Sequence, residues 1–471
     1  MSAVILSADI GTSSLKAAFI DFDGNLKAFD RETYPLGSPA MAWEQAFIKA
    51  LERLREQTPH CKIEAICISG NGPTLVPVSG DGEALPPLYW YDGRVHFPTE
   101  GKNRSFFLPH AAWLKEKAQA EYQKVKFFFS SHEWLAYRLG AEVFTVLPQT
   151  GYIPYYWDDE QCRLFGLDRE KFPPFVNTGS VMGKVASGRM PGIEGGLQAS
   201  ILSDLANNAM RIGLKSGTPI IAGGPDFITA LIGTGTMKSG DVCDRAGSSE
   251  GINVCASSRP EIQVVKGKAL RVLPHAKTGF WNIGAVIPSS GTFFESYRTG
   301  AGQENRSYEE LLAELIPSAN DVKIFSRALS GDLADHIESG RAVLCAIGFA
   351  VRDALETLED SGFPIKAMTV SGGQSKNRLW NQLKADITGV SLMIPDISDG
   401  ELAGNAVIAA CALDTSCADE TFFEQALERT ITRMIRFRET FEPNAGTASF
   451  WQEHYEFYRS QKAKADISGR S

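Results

Sequence analysis

The chain has 471 residues, of which 43% are hydrophobic and 22% charged, and its net charge of −9 argues against a nucleic-acid-binding surface. Because a single hydrophobic core stops growing at about 250–300 residues, we expect two domains. The longest apolar runs, within 342–351 and 406–413, are far shorter than the ~20 residues that cross a bilayer, and residues 1–10 lack the basic start of a signal peptide. These features predict a cytoplasmic protein with no nucleic-acid or membrane partner.

The eight cysteines and seven histidines predict neither a disulfide framework nor a zinc site. The cysteines are scattered, form no Cys-x-x-Cys pair and mostly lie in apolar surroundings, as reduced core thiols of cytosolic proteins do. The histidines show no paired ligand spacing.

The N-terminal segment predicts a hairpin around a turn that is rich in hydroxyl groups. The apolar run 4–8 ends at Asp9, the turn Gly11-Thr12-Ser13 follows, and a second apolar run begins beside Lys16. Backbone N–H groups and hydroxyls in such a turn can hold an anion, and a carboxylate at a strand end can hold a hydrated Mg²⁺ beside it. Turns of this composition also arise for backbone reasons alone, so the segment indicates a phosphate site only together with others.

A helix and a buried strand come next. Apolar residues at helical spacing predict a helix over 39–57, and the run 65–70 predicts a strand that ends at the polar loop Asn71-Gly72-Pro73-Thr74. Strand ends followed by polar loops are where α/β folds place ligand contacts. The Asn71 amide can bond a ligand hydroxyl, whereas Gly72 and Pro73 offer no side-chain donor.

In the following loop, 88–94, aromatic residues precede an acid and a base. Asp92 and Arg94 can orient the hydroxyls of a polyol, with Trp90 as a flat wall. A structural ion pair that supports the loop explains the same residues equally well.

A strand that ends in a carboxylate is predicted at 218–226. The apolar run leads through Gly223 and Gly224 to Asp226, and a helix-like segment follows. Transfer of a phosphoryl group to a hydroxyl needs a carboxylate that orients the nucleophile and takes its proton late. Asp226 is suited to that role.

Three glycine segments mark the second half of the chain, beyond a domain boundary expected near residue 242. Gly247-Ser248 lies in a turn, Gly291 opens a predicted helix, and Gly372-Gly373 follows a predicted strand, with Asn377 just before the next helix. A helix N-terminus after glycines can receive phosphate oxygens. Each segment is common on its own, so their order along the chain carries the interpretation.

In this order, the segments resemble those of the FGGY carbohydrate kinases, members of the actin-like ATPase superfamily, over residues 3–440. The motifs that carry the resemblance are Asp9-x-Gly-Thr-x-x-x-Lys16, the loop 88–94, the strand end at Asp226 and the glycine segments. The resemblance implies an α/β fold with two actin-like (ribonuclease H-like) domains, each a mixed sheet flanked by helices, with an interdomain cleft. It places the sugar, the first phosphate loop and the catalytic aspartate in an N-terminal domain, 1–242, and the second phosphate loop and adenosine in a C-terminal domain, 243–471.

The resemblance further implies a phosphotransferase of carbohydrate metabolism that acts on an alcohol group, with ATP and Mg²⁺ as cofactors. Asp226 would be the catalytic base, and Asp9 would hold Mg²⁺ through water. The implied nucleotide contacts are Gly11, Thr12, Ser13, Lys16, Gly247, Ser248, Gly291, Gly372, Gly373 and Asn377. The implied sugar contacts are Asn71, Trp90, Asp92, Arg94, Asp226 and Phe227.

Departures from the family pattern leave the acceptor open. Xylulokinases carry Gln-Met-His-Gly at 71–74, and the family often has Asn or Gln in place of Phe227 and Asp in place of Val146. The segment 315–333 lacks the usual Pro-Tyr-Leu-x-Gly-Glu-Arg-x-Pro, which trims a loop near the cleft or the interface of a possible homodimer. A pentulose such as xylulose leads narrowly over ribulose, other ketoses and polyols of the glycerol or erythritol type. Two further functional classes fit the same segments: a non-catalytic pseudokinase that binds sugar or nucleotide, and an actin-like ATPase that works on a protein partner.

Overall fold

The computed structural model describes residues 2–95, 104–186, 204–261, 264–265, 268–317, 321–331, 333, 335–414 and 420–468. The chain forms two compact units. The first unit comprises Met1–Gly235, Ala276–Thr278 and Gly400–Arg436, and the second comprises Thr236–His275, Gly279–Asp399 and Phe437–Ser471.

Strands and helices alternate along much of the chain. The strands are β1 (Ala3–Ile10), β2 (Ser14–Asp21), β3 (Leu26–Thr33), β4 (Lys62–Gly70), β5 (Val76–Ser79), β6 (Val125–Phe129), β7 (Thr145–Leu147), β8 (Phe175–Asn177), β9 (Val181–Lys184), β10 (Pro219–Pro225), β11 (Val242–Ala246), β12 (Glu250–Ala256), β13 (Val264–Val265), β14 (Lys268–Ala269), β15 (Arg271–Pro274), β16 (Trp281–Ile287), β17 (Ala367–Ser371), β18 (Ser391–Pro395) and β19 (Phe437–Phe441).

The α-helices are α1 (Ala40–Gln57), α2 (Leu108–Lys117), α3 (Gln119–Lys124), α4 (Ser131–Leu139), α5 (Asp159–Leu164), α6 (Asp204–Arg211), α7 (Asp226–Gly233), α8 (Ser290–Gly300), α9 (Tyr308–Leu315), α10 (Ser326–Leu329), α11 (His336–Asp360), α12 (Arg378–Thr388), α13 (Gly400–Asp414), α14 (Glu420–Met434) and α15 (Ala448–Ser468). Short 3₁₀ turns cover Thr150–Tyr155, Arg169–Lys171, Val322–Phe325 and Gly373–Lys376.

The first unit is built on a mixed sheet with the strand order β3-β2-β1-β4-β10-β9. Strands β1, β2 and β3 form the two predicted antiparallel hairpins, and β4 and β10 pair parallel to β1 in succession. Helix α1 buries Trp43 and Phe47 in the core beside this sheet, as its apolar spacing predicts. The predicted strands at β4 and β10 are likewise confirmed.

The second unit contains a second mixed sheet with the order β15-β16-β12-β11-β17-β18-β19. Strands β11, β17 and β18 run parallel, and their neighbours on both sides run antiparallel. Helix α11 covers this sheet with Val351, Leu355 and Leu358, which are buried against Val370. The predicted mixed sheets flanked by helices are therefore confirmed in both units.

The division of the chain differs from the contiguous boundary expected near residue 242. The first unit ends at Gly235, and Gly400–Arg436 returns to it. The returning helix α13 is buried along most of its length and packs on β1, β4 and α7. A helix that is apolar on nearly all sides has to be covered on all sides, and here the cover is provided by strands some 400 residues earlier in the chain.

Two further expectations concern the whole chain. Seven cysteines lie in the described residues as thiols, six of them buried, which confirms the predicted core thiols; Cys417 lies outside the described residues. Among the helices described here, none has the length and apolar character needed to cross a membrane.

The packing of α13 on α7 predicts the effect of Gly404→Ala. A Cβ at Gly404 would overlap the carbonyl oxygen of Thr229 in α7, and backbone atoms of a packed helix cannot move independently. We expect the substitution to lower the free energy of unfolding by about 1–3 kcal/mol or more, as overpacked cores do, which thermal denaturation measures. In the control Gly300→Ala, no atom lies within 4 Å of the added Cβ, so no loss of stability is expected. Equal losses in the two variants would contradict this account of the packing.

Candidate active site

Parallel pairing brings three predicted site residues to one edge of the first sheet. Strands β1, β4 and β10 lie side by side, with Ile10 opposite Gly70 and Gly70 opposite Pro225. Asp9, Asn71 and Asp226 therefore lie at or next to the carboxyl ends of three adjacent strands. Such an edge is where open α/β sheets bind ligands.

Asp9 lies in a charged but largely buried environment. Its side chain is 4% exposed, and its Oδ1 accepts a 2.7 Å hydrogen bond from Ser69 Oγ. Lys16 is its register partner across the hairpin, and the Lys16 Nζ lies 3.9 Å from Glu401 Oε2. Burial raises the pKa of Asp9 to about 7, helped by the charges of Glu401 and Asp226 and opposed by Lys16 and Ser69.

The turn Gly11-Thr12-Ser13 is fixed from one side. The Tyr34 hydroxyl donates to the Gly11 carbonyl at 2.7 Å, and the Tyr34 N–H donates to the Ser13 carbonyl at 3.0 Å. Trp90 Nε1 donates to Thr12 Oγ1 at 3.4 Å, so a residue predicted to bind sugar contacts one predicted to bind phosphate. The Ser13 side chain is exposed.

Asp92 and Arg94 pair with each other. Arg94 Nη2 lies 2.6 Å from Asp92 Oδ2, and this hydrogen-bonded pair lowers the pKa of Asp92. The Arg94 guanidinium also stacks 4.4 Å from the ring centre of Trp113. These contacts are those of the structural ion pair, the second interpretation of this loop, and a role of either residue at a sugar stays a prediction.

Asn71 lies in the loop beside β10. Its side chain is 3% exposed, and its Oδ1 accepts from Ser131 Oγ at 3.2 Å. Its Nδ2 has no acceptor among the described residues. A Cβ at Gly72 would lie 3.8 Å from Pro225 Cβ, which places this loop against the strand end that precedes Asp226. Buried polar groups are nearly always hydrogen-bonded, so this nitrogen can donate to a ligand. A role of Asn71 at a sugar stays a prediction.

Asp226 and Phe227 are the first two residues of α7, and both are half-buried. A helix N-terminus favours a negative charge such as that of Asp226. The Phe227 ring lies 6.2 Å from the ring of Tyr152. At Val146, where the family often has a carboxylate, the backbone N–H instead donates to the buried Glu133 carboxylate at 2.7 Å.

The predicted nucleotide segments of the second unit converge. The Gly247 turn joins β11 to β12, and a Cβ at Gly291 would overlap the Gly247 carbonyl oxygen. Gly372 has φ +92° and lies against the Ala246 backbone, so only glycine fits there without strain. Ser248 and Gly373 are exposed beside these contacts.

Two residues that the sequence did not single out hold this convergence together. Gln374 Nε2 donates to the Gly247 carbonyl at 3.0 Å and to Ser290 Oγ at 3.3 Å. Trp380 Nε1 donates to Gln374 Oε1 at 3.1 Å. Asn377, predicted near the nucleoside, accepts from the Trp380 backbone N–H at 3.0 Å and thereby caps α12.

A buried charge cluster lies below the Gly247 turn. Lys384 Nζ lies 2.9 Å from Asp244 Oδ2 and also binds Glu250, and all three side chains are fully buried. Burial raises the pKa of Glu250 to about 7 and that of Asp244 as well, while the two carboxylates outweigh burial and raise the pKa of Lys384. The two acids flank the turn, so the charged Lys384 fixes both of its ends.

Comparisons with known proteins show what the chain is similar to. Residues 331–413 match the model of the FGGY family of carbohydrate kinases, C-terminal domain. The xylulose kinase of Bacillus subtilis (strain 168) is 23% identical over 509 residues, covering 97% of this chain and 96% of its own.

Solved structures match over almost the full length. The gluconate kinase from Lactobacillus acidophilus superposes with a TM-score of 0.75 at 17% identity, covering 98% of each chain. The xylulose kinase from Rhodospirillum rubrum gives 0.73 at 17% identity, covering 99% of this chain and 100% of its own. These likenesses show the two-domain actin-like ATPase fold. The family match and the full-length relative show that the chain is similar to the FGGY family of carbohydrate kinases.

Proposed function

We propose that the chain is an ATP-dependent sugar kinase that transfers the γ-phosphoryl group of ATP to a hydroxyl of a small sugar, with a pentulose such as xylulose as the first candidate. The observation that carries the proposal is the meeting of Asp9, Asn71 and Asp226 at one edge of a parallel sheet. The xylulose kinase name of the Bacillus subtilis relative supports the choice of acceptor.

Asp226 is the proposed catalytic base. It orients the acceptor hydroxyl and takes its proton as transfer proceeds. Asn71 is proposed to bind another hydroxyl of the same sugar, because its amide nitrogen has no acceptor among the described residues. Trp90, Asp92, Arg94 and Phe227 are proposed to line the rest of the acceptor site.

Nucleotide contacts are proposed within each unit. In the first unit, the Gly11-Thr12-Ser13 turn and Lys16 take phosphate oxygens. In the second unit, Gly247 and Ser248 take phosphate oxygens, and the remaining predicted residues, Gly291, Gly372, Gly373 and Asn377, border the nucleoside. The close backbone approaches at Gly291 and Gly372 support this assignment, because they bring both segments against Ala246 and Gly247, next to the proposed phosphate contacts.

The donor chemistry near Asp9 fits Mg²⁺. The Asp9 carboxylate supplies the hard oxygen that this ion prefers, and the charges of Asp226 and Glu401 act on it, partly offset by Lys16. Among the described residues, no three acidic, His or Cys side chains are arranged to hold a metal directly. Asp9 is proposed to contact the ion through water. Bound Mg²⁺ would neutralise charge on the transferred phosphoryl group.

We also infer a cytoplasmic location. The described cysteines are thiols, and most of them are buried. Thiols persist in reducing compartments.

The proposal is tested by ADP release from the full chain with MgATP against a panel of pentuloses, hexuloses, aldoses, polyols and sugar acids. Stimulation by one compound supports the kinase and identifies its acceptor. ATP binding without stimulation by any compound would favour the pseudokinase, and sugar-independent ATP turnover would favour an ATPase that works on a partner.

Asp226→Asn is expected to reduce sugar-stimulated ADP release by about 10²–10⁴-fold, because a general base contributes about that much. MgATP affinity, measured by calorimetry, should not change. Asp23→Asn, which alters an exposed carboxylate of the same unit, is the control and should keep full activity. Normal turnover in Asp226→Asn would contradict its role as the base.

Phe227→Asn should make the enzyme favour sugars that carry an additional hydroxyl group over analogues that lack it. The amide adds a donor and an acceptor where the native ring has neither, and one hydrogen bond contributes about 1 kcal/mol. The ratio of kcat/KM for xylulose to that for at least one of its mono-deoxy analogues should rise by several-fold. Phe227→Leu, which removes the ring without adding a polar group, is the control, and equal ratios in both variants would contradict the prediction.

The raised pKa of Asp9 predicts a pH-dependent effect of Asp9→Asn on stability in metal-free buffer. The folded state keeps this proton up to about pH 7, whereas the unfolded chain releases it near pH ~4. The folded state therefore binds more protons between these values, so this position loses stability as the pH rises. Asp9→Asn should raise the melting temperature more at pH 8 than at pH 5.

Asp21→Asn is the control for this experiment. Burial raises the pKa of Asp21, but hydrogen bonds from Lys27 and Asn25 outweigh it and lower that pKa. The ionised Asp21 thus stabilises the fold, so the control should lower the melting temperature at pH 8. An equal shift of Asp9→Asn at both pH values would contradict the assigned pKa.

A further inference from the structure

A chain of hydrogen bonds reaches Asp9 from the core of the first unit. Asn405, in α13, is fully buried, and its Nδ2 donates to Ser69 Oγ at 2.9 Å. Ser69, also fully buried, donates from the same oxygen to Asp9 Oδ1 at 2.7 Å. Neither Asn405 nor Ser69 was singled out by the sequence.

The direction of these hydrogen bonds is fixed by chemistry. Asn405 Nδ2 also donates to the Ala8 carbonyl at 2.9 Å, and a carbonyl can only accept, so the nitrogen of the amide must face β1 and Ser69. A hydroxyl has one hydrogen to donate. Since the Ser69 hydroxyl accepts from Asn405, its own hydrogen is directed at the Asp9 carboxylate.

Asn405 lies against each of the three strands that end near a site residue. It bonds Ala8 of β1 and Ser69 of β4, and its Oδ1 accepts from Cys67 Sγ of β4 at 3.5 Å. A Cβ at Gly223 of β10 would lie 2.8 Å from that same Oδ1. One neutral side chain therefore touches the three strands that end near Asp9, Asn71 and Asp226.

We propose that Asn405 and Ser69 are positioning residues that hold the Asp9 carboxylate in the orientation in which it meets the hydrated Mg²⁺ of bound MgATP. The inference rests on the proposed role of Asp9 at the nucleotide metal. Hydrogen-bond partners behind a metal-binding side chain typically contribute about 10–100-fold in metal affinity.

The same structure offers a matched control for a merely structural role. Ser7 Oγ donates to the Leu402 carbonyl at 2.8 Å, is fully buried, and joins the same strand, β1, to the same helix, α13. Its hydrogen bond ends on a backbone oxygen and does not reach Asp9. Ser7→Ala thus removes a comparable buried bond without touching the carboxylate.

The test is a Mg²⁺ titration of the full chain with ATP, followed by calorimetry, in parallel with ATP binding in the presence of EDTA. Ser69→Ala should weaken the apparent Mg²⁺ affinity by about 10–100-fold and leave metal-free ATP binding unchanged. Ser69→Thr, which keeps the hydroxyl, should recover most of the affinity. Ser7→Ala should retain the wild-type affinity. Asn405→Leu, which removes the donor to Ser69, should weaken Mg²⁺ affinity in the same direction.

Each outcome separates the inference from the proposed function. If Ser69→Ala binds Mg²⁺ as tightly as Ser7→Ala, the positioning role is overturned while the kinase proposal stands. If the Ser69→Ala loss appears but no sugar on the panel is phosphorylated, the positioning role stands and the sugar kinase fails. If Asn405→Leu does not fold, the two Ser69 variants and Ser7→Ala decide the result. A wild-type chain that binds no MgATP would overturn both.

Discussion

Parallel pairing of β1, β4 and β10 is the constraint on which the site of the first unit depends. Backbone hydrogen bonds fix the register of the three strands, so Asp9, Asn71 and Asp226 lie at one edge of the sheet. This placement does not depend on interactions between the three side chains. Asp9 and Asp226 repel each other, as the raised pKa of Asp9 reflects after the larger effect of burial. The apolar core beneath the sheet therefore has to hold two acids together that would separate in a looser structure.

The two glycine turns are held by different physical means. In the first unit, neutral hydrogen bonds from Tyr34 fix the turn, and each such bond contributes about 1 kcal/mol. In the second, Lys384 binds two fully buried carboxylates that flank the turn. A buried ion cluster gives little net stability over apolar residues of similar size. Removing one partner, however, leaves an unpaired buried charge and lowers the free energy of unfolding by about 3–5 kcal/mol. The second turn thus has one defined conformation and little tolerance for substitution in the cluster.

Local patterns in the sequence predicted what is locally determined. The hairpins, α1, β4 and β10 follow from apolar spacing and turn residues, and Asp9 and Asp226 were singled out because they stand at strand ends. The partners of these residues were not predicted. Ser69 and Asn405 are 336 positions apart, and Lys384 and Glu250 are 134 apart, so no local period or motif links them. The return of α13 to the first unit was missed for the same reason. Asn377 shows that a local pattern can also have two explanations, because an asparagine at a helix start can cap the helix as readily as it can contact a ligand.

A neutral amide suits the position behind Asp9 better than a charged group would. A buried ammonium at 405 would lower the pKa of Asp9 and need a partner of its own, and a carboxylate would raise that pKa further. The neutral amide orients the Ser69 hydroxyl without adding a charge. The charges that act on Asp9 therefore come from Lys16, Glu401 and Asp226. If Mg²⁺ binds beside Asp9 as proposed, it would favour the ionised carboxylate, and binding would release a proton from this group, whose pKa is raised to about 7. Because Ser69 already hydrogen-bonds the carboxylate, the loss of that proton would require no rotation of the side chain, which is the advantage of a preorganised site.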